Sequence, residues 1–132
     1  MNINNIDLKN GFKMIEASAG TGKTFTLSHL ALKKIIEDKI NPKDILIITY
    51  TKKAANDLRE KIIERFVLFR EYIFNNDIKQ ADKTLKDFYE NLDINLRSID
   101  NLIPLIDSVL DNPRSLNIFT IDSLFKKIID EN

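Results

Sequence analysis

Residues 17–24 of this chain read Ala-Ser-Ala-Gly-Thr-Gly-Lys-Thr, a run that holds two of the chain's three glycines. An apolar stretch precedes the run and a segment with helical apolar periodicity follows it, which predicts a strand, a glycine loop and a helix. Glycines let successive amides turn toward phosphate oxygens, and the amino end of the helix adds unpaired N–H groups. The pattern predicts a nucleotide-binding loop of Ala17, Ser18, Ala19, Gly20, Thr21, Gly22, Lys23 and Thr24, with Lys23 on the β- and γ-phosphates and Thr24 on Mg²⁺.

The loop departs from the general signature at its first position, where the chain has Ala17 instead of glycine. A flexible loop that contains lysine and threonine by chance is the alternative interpretation. The apolar strand before the run and the amphipathic segment after it favour phosphate binding.

Length and composition set limits on what the chain does. Its 132 residues, 43% hydrophobic and 30% charged, suit one globular domain. The net charge is zero, so any nucleic acid must bind a local patch. The chain has no cysteine, no apolar run long enough for a bilayer and no visible secretory signal, so we expect a cytoplasmic protein with no membrane contact.

The order of apolar patterns predicts an α/β fold with a small parallel sheet. Residues 12–16, 45–48 and 116–120 are predicted strands, and the β-branched run at 45–48 is typical of a strand covered on both faces. A first helix is expected from the loop to about Asp38, and four further helices are expected where apolar residues recur at helical spacing. Their apolar stripes are Ala54, Leu58, Ile62, Phe66, Phe69 and Ile73; Ile78, Ala81, Leu85, Phe88 and Leu92; Ile99, Leu102, Ile103, Ile106 and Leu110; and Leu124, Phe125, Ile128 and Ile129. Pro104 is expected in the first turn of its helix or at a kink.

Residues that suit single-stranded nucleic acid follow the second predicted strand. Ligands of a doubly wound sheet bind at the carboxyl ends of its strands. Tyr50 offers a ring for base stacking, Thr51 a hydroxyl, and Lys52 and Lys53 positive charge. Six basic and three acidic residues in 52–70 also fit a solvated helix face with an Asp57–Lys61 pair, and from composition alone that interpretation ranks slightly ahead.

The third predicted strand ends in a similar way. Thr120 and Ser123 would lie at the same edge of the sheet as the phosphate loop. Asp122 and Ser123 also suit the start of a helix, because their side chains accept hydrogen bonds from exposed amides. Helix capping is at least as good an interpretation of this segment as a ligand role.

Taken together and in this order, the three segments resemble the start of a superfamily 1 (UvrD/RecB-like) DNA helicase, nearest to the RecB-type β subunit of exodeoxyribonuclease V. Residues 14–32 (MIEASAGTGKTFTLSHLAL) resemble the first motif, in which alanine at the position of Ala17 is usual. Residues 45–62 (ILIITYTKKAANDLREKI) are similar to the motif T-F-T-x-x-A-A-x-x-L-R, and residues 117–129 (NIFTIDSLFKKII) to a later T-I-H-G/S-F segment.

The resemblance implies a RecA-like P-loop NTPase domain, ATP and Mg²⁺ as cofactors, and a role in DNA recombination and repair. Single-stranded or partly duplex DNA and other exonuclease V subunits are the implied partners. Asp122 stands where many members have histidine, and no glutamine motif that reads adenine precedes the loop. The resemblance implies DNA contacts at Tyr50, where the family has phenylalanine, and at Thr51, Thr120 and Ser123. Lys52 and Lys53 join this predicted set because of their positive charge.

The family hydrolyses ATP with an Asp-Glu pair on a later strand and with arginines from a second motor domain. The single Asp-Glu dipeptide here, Asp130-Glu131, follows a helical pattern instead. We therefore expect residues 1–132 to be the amino-terminal part of the ATP-binding domain of a longer helicase, without a complete catalytic site. In that interpretation 12–65 and 116–130 supply the sheet and motifs, and 66–115 is a helical insertion.

Two alternatives remain open from the residues alone. A compact P-loop phosphotransferase would use Asp122 as the carboxylate on the Mg²⁺ side. Against it, residues 75–113 contain a single arginine, Arg97, and no glycine for a mobile lid. A non-catalytic remnant or binding module is the other alternative, favoured by the open edges of a three-stranded sheet.

Overall fold

A computed structural model describes residues 13–17, 21–75, 83–94 and 99–131, with side chains for 26–75, 83–94 and 100–130. Short 3₁₀ turns at Pro42–Asp44 and Pro113–Ser115 precede the second and third strands. The elements are β1 (Lys13–Ala17), α1 (Thr21–Glu37), β2 (Ile45–Thr49), α2 (Lys52–Asn75), α3 (Lys83–Glu90), α4 (Ile99–Asp111), β3 (Asn117–Thr120) and α5 (Ile121–Glu131).

The sheet has the order β1-β2-β3, and both pairs of neighbouring strands are parallel. Ala17 is in register with Thr49, and Thr49 is in register with Thr120. These three residues are the last of their strands, so the carboxyl ends form one row across the sheet. The parallel α/β arrangement expected from the order of elements is therefore found, and helices make up most of the described chain.

The main core lies on one face of this sheet. Side chains alternate between the faces of a strand, so Ile45 and Ile47 share a face, in register with Ile118 of β3. That face is covered by α1, α2 and α4, which contact one another. The largest fully buried core side chains include Leu32, Ile35, Leu58, Ile62, Phe66, Phe69 and Ile106.

The opposite face is less well covered, and this corrects the expectation for residues 45–48. Leu46 is buried outside the main core cluster, whereas Ile48 is only half-buried. α5 contacts β2 and β3, yet Phe125 and Ile129 of its predicted apolar stripe remain 61% and 71% exposed. The strand is thus buried fully on one face and only partly on the other, where apolar side chains of α5 face solvent.

Several helix assignments need small corrections. α1 ends at Glu37, in agreement with the expected end at about Asp38, and Asn41 caps the following 3₁₀ turn through its side chain. In α2 the expected residues Leu58, Ile62, Phe66 and Phe69 are buried. The buried alanine is Ala55 instead of Ala54, and Arg65 is buried beside this stripe. Pro104 is the sixth residue of α4 and is exposed, so it lies inside the helix and not in its first turn.

One ion pair in α2 and one buried side chain in α3 differ from what the sequence pattern predicts. The predicted Asp57–Lys61 pair is not found among the described ion pairs, since Lys61 lies 3.4 Å from Glu64 instead. Tyr89 of α3 is buried and stacks against Phe69, although the expected stripe contained Phe88. Residues 78–82 of that predicted helix, which include Ile78 and Ala81, lie outside the described residues.

We expect the Tyr89→Phe substitution to lower the free energy of unfolding at neutral pH by about 1–2 kcal/mol. The buried Tyr89 hydroxyl donates to the carbonyl oxygen of Arg65 at 2.7 Å, and phenylalanine removes this buried hydrogen bond. Urea denaturation followed by circular dichroism measures the difference. The exposed Tyr50 supplies a matched control, because Tyr50→Phe removes a hydroxyl from a side chain that is exposed to solvent.

The same substitution changes the response to alkaline pH. Burial raises the pKa of the Tyr89 hydroxyl well above its ordinary value, an effect that the nearby Arg65 only partly opposes. The folded chain therefore keeps this proton above about pH 10 while the unfolded chain releases it, and stability falls as pH rises. An alkaline loss of equal size in Tyr89→Phe would contradict this assignment.

Candidate nucleotide and nucleic-acid site

The predicted phosphate loop begins at the row of strand ends. Ala17 ends β1, and α1 begins at Thr21, so that Lys23 and Thr24 lie in the first turn of a helix. That turn contains no acidic residue, which suits an anion at its amino end. Ser18, Ala19 and Gly20 lie outside the described residues, as do the side chains of Ala17 and 21–24.

At the end of β2, a buried threonine links the strand to its neighbours. The Thr49 hydroxyl lies 3.2 Å from the carbonyl oxygen of Thr51 and 3.3 Å from that of Phe119, so its proton is shared between them. This anchors the turn after β2 to β3 and leaves the Tyr50 side chain 58% exposed. Tyr50 is therefore held on an anchored backbone with its ring accessible.

The amino end of α2 is strongly positive. Thr51 caps the helix, since its Oγ1 accepts from the Ala54 N–H at 3.0 Å. Lys52 and Lys53 are exposed and form its first two residues, and the first turn contains no acidic residue. Lysines at this end oppose the helix dipole, so the arrangement costs stability unless an anion lies nearby.

The start of α5 is organised differently. Thr120 accepts from the Ser123 N–H at 3.0 Å and donates its own proton to the Ser123 hydroxyl at 2.7 Å. Thr120 is thus the capping residue, a role that the sequence pattern assigned to Asp122 or Ser123. Asp122 is exposed in the first turn of α5, where a carboxylate is favourable for the dipole.

The structure distributes the predicted DNA-contacting residues over two grooves. Tyr50 lines an apolar groove of about 320 Å³ together with Phe125 and Leu124 of α5. Lys52 lines a second groove of about 190 Å³ with Thr120 and Ser123. Lys53 is exposed on α2. The ends of β2 and β3 therefore bring Lys52, Thr120 and Ser123 together, while the ring of Tyr50 borders a separate depression.

Sequence reasoning missed Arg59. Its guanidinium donates to the carbonyl oxygen of Ile118 in β3 at 3.4 Å and also lines the Lys52 groove. The sequence does contain a signal for Arg59, because Lys52, Asn56 and Arg59 are spaced so that they lie on one face of a helix.

Two other features of the sequence have structural roles. The ring of His29 is half-buried, and its centroid lies 4.2 Å from that of Phe88. Asp130 and Glu131 belong to α5, which confirms that this dipeptide does not follow a strand. Within the described segments, no helix is both long and apolar enough to cross a membrane.

The parallel strands and the row of residues at their carboxyl ends define an α/β domain of the kind that binds its ligands at that edge of the sheet. A protein-family model described as the UvrD/REP helicase N-terminal domain matches residues 3–132. The chain therefore belongs to the UvrD/REP helicase N-terminal domain family, which implies the P-loop NTPase fold.

Named relatives agree with this family. The chain is 33% identical to the RecBCD enzyme subunit RecB of Buchnera aphidicola over 98% of its length, and 26% identical to that of Chlamydia muridarum over 89%. A probable DNA helicase II homolog of Mycoplasma pneumoniae is 39% identical over 41% of the chain. The chain spans 11% of each RecB relative and 8% of the Mycoplasma protein.

Proposed function

We propose that this chain is the ATP-binding, single-stranded-DNA-contacting amino-terminal part of an ATP-dependent DNA helicase of the RecB/UvrD type. Its parent would act in DNA recombination and repair, with the other subunits of an exonuclease V complex as partners. The observation that carries the proposal is the row Ala17, Thr49 and Thr120, which is in register at the carboxyl edge of the sheet. The start of the phosphate loop and both candidate DNA-contacting segments are therefore attached to one edge.

The nucleotide part of the proposal rests on the loop and its helix. Residues 17–24 would hold ATP, with Lys23 on the β- and γ-phosphates and Thr24 on Mg²⁺. The first turn of α1 lacks a carboxylate that would repel an anion, so the described backbone fits the group. Bound Mg²⁺ supplies charge neutralisation on the phosphates. Members of this family are ATP-dependent, which supports the same assignment.

The DNA part rests on accessible groups next to that loop. Tyr50 presents an exposed ring for base stacking, and the cationic amino end of α2 suits phosphate oxygens. Thr51 and Thr120 both use their hydroxyls as helix caps, so their contribution to a bound strand would come from positioning Lys52 and Ser123. The stability cost of two lysines at a helix start favours this proposal over a merely solvated face.

The Tyr50→Ala substitution tests the proposal. We expect it to weaken the binding of oligothymidylate by about 1–3 kcal/mol, the free energy of one lost base stack, and to weaken duplex binding less. Fluorescence anisotropy with the full chain and labelled oligonucleotides measures both affinities. Because Tyr50 is 58% exposed, the change leaves the fold intact, which circular dichroism verifies.

Two controls separate stacking from charge. Tyr50→Phe keeps the ring and is expected to bind as the unmodified chain does. On an abasic oligonucleotide the difference between tyrosine and alanine disappears, since no base is left to stack. An equal loss on single-stranded and duplex DNA would instead favour a plain charged surface, and the DNA-contacting role of Tyr50 would be withdrawn.

A further inference from the structure

We propose that Thr49 positions Tyr50 for single-stranded DNA, because its buried hydroxyl joins the turn after β2 to β3. The inference rests on the proposed function and deepens it by assigning a role to a residue that does not touch the DNA. Thr49 is only 1% exposed, whereas the ring of Tyr50 is accessible. Thr49 is therefore a positioning residue, which acts through the backbone of its neighbour.

Thr49 lies in the central strand of the described sheet. β2 pairs with β1 on one side and with β3 on the other, and Thr49 is in register with Ala17 and Thr120. Side chains alternate between the faces of a strand, so Thr49 shares the core face with Ile45 and Ile47. Its place therefore does not depend on what lies beyond either edge of the sheet.

A hydroxyl at this buried position requires hydrogen-bond partners, since burying it without them is unfavourable. The Oγ1 atom of Thr49 lies 3.2 Å from the carbonyl oxygen of Thr51 and 3.3 Å from that of Phe119. Valine has nearly the same shape as threonine. The feature of Thr49 that packing does not explain is therefore its hydroxyl group.

The two contacts of this hydroxyl hold the turn that contains Tyr50. Thr49 and Thr51 flank Tyr50 in sequence, so the first contact closes the turn around it. The second contact joins residues 70 positions apart and attaches the turn to the last part of β3. The backbone of Tyr50 is thus held in place from within the turn and from the neighbouring strand.

The start of α2 is held by separate hydrogen bonds. The Oγ1 atom of Thr51 accepts from the Ala54 N–H at 3.0 Å, and the carbonyl oxygen of Thr51 accepts from the Ala55 N–H at 3.0 Å. Loss of the Thr49 hydroxyl leaves both bonds in place. We therefore expect this loss to affect the stacking of Tyr50 and to leave the charged start of α2 unchanged.

The Thr49→Val substitution tests the role, because it removes the hydroxyl and keeps the shape. We expect the affinity for oligothymidylate to fall about fivefold, the effect of one lost hydrogen bond that holds the ring. Thr49→Ser keeps a hydroxyl and is expected to retain most of the affinity. Fluorescence anisotropy measures binding, and circular dichroism verifies the fold of each variant.

A double-mutant cycle distinguishes positioning from a contribution to stability alone. Once Tyr50→Ala has removed the ring, Thr49→Val is expected to cause no further loss of affinity. The slope of log K against log[salt] is expected to stay unchanged in Thr49→Val, since the phosphate contacts remain. A fivefold loss both with and without the ring would overturn the inference.

Ile47→Val provides a matched control on the same face of the same strand. Ile47 is 2% exposed, and the substitution lowers stability without removing a hydrogen-bonding group. We expect a lower urea midpoint and an unchanged affinity for oligothymidylate. An equal loss of affinity in this control would show that any weakening of β2 reduces DNA binding, and the specific role of Thr49 would fail.

A second pair of variants repeats the comparison without the methyl group. Thr49→Ser and Thr49→Ala differ from each other only in the hydroxyl, so the test does not depend on the folding of the valine variant. About fivefold weaker binding is expected for alanine than for serine. Equal affinities in this pair would overturn the inference.

The outcomes separate this inference from the proposed function. If Tyr50→Ala weakens binding while Thr49→Val binds as the unmodified chain does, the positioning role fails and the proposed function stands. If the unmodified chain binds no oligonucleotide, the proposed DNA contact fails and the role of Thr49 fails with it.

Discussion

Replacing Lys23 with alanine is expected to abolish ATP binding. Inside a phosphate-binding loop, the lysine ammonium makes charge-assisted contacts to the β- and γ-phosphates that no neighbouring group in the loop can replace. Losing them costs about 3 kcal/mol, so affinity falls roughly 100-fold or more. Titration of the full chain with a fluorescent ATP analogue, with and without Mg²⁺, measures the effect.

Lys33 provides the matched control on the same helix. It is exposed and lies 3.8 Å from Glu37, three turns away from the loop, so Lys33→Ala is expected to bind ATP normally. Affinity retained in Lys23→Ala would refute the phosphate-loop assignment. ATP turnover that requires both Lys23 and Asp122 would favour the compact phosphotransferase instead, since Asp122 lies two residues after the end of β3.

The Phe66→Ala substitution is expected to cost about 3–5 kcal/mol of the free energy of unfolding. Phe66 is fully buried at the centre of α2, in the core formed with α1 and α4. The lost apolar contacts add to the cost of the cavity that remains. Domains of this size are stable by only about 5–15 kcal/mol, so the variant loses a large share of its stability.

Val67, the next residue in α2, provides a control for the stability of the Phe66→Ala variant. Val67 is 48% exposed on the same helix, and Val67→Ala is expected to change stability by less than about 0.5 kcal/mol. Urea denaturation followed by circular dichroism gives both values. A loss below about 1 kcal/mol for Phe66→Ala would mean that the face of α2 assigned to the core is wrong.

Much of the fold could be predicted from local patterns. The strand that ends at Ala17, the helix that begins at Thr21, the break at Pro42 and the turn at Pro113 depend on backbone preferences of a few residues, and they are found close to where they were expected. The burial of Ala55 and Arg65 in α2 could not be predicted in this way. Arg65 and Ala55 are buried because α1 and α4 cover that side of the helix, and this is decided by packing.

In the candidate site, too, the sequence identified residues, whereas the structure was needed to show the role of one of them. Tyr50, Thr51 and Lys52 follow β2 in sequence, so a motif identifies them without a structure. Thr120 was named from its motif as well, but its role as the cap of α5 was visible only from the hydrogen bond that it accepts. A sequence motif gives residue types and their spacing, but it does not show which of two nearby hydroxyl groups accepts the hydrogen bond from the helix amide.

By itself, the sequence determined the class of the protein, the order of its helices and strands, and the position of its candidate nucleotide loop. These depend on helical periodicity, on β-branched runs and on glycine, all of which act over a few neighbouring residues. Only the tertiary structure decided that Arg59 and Arg114 meet at the edge of β3 and that Phe125 stays exposed. These features depend on the register of the parallel strands and on how α2 packs across them. Neither the register nor the packing is specified by the conformational preferences of neighbouring residues.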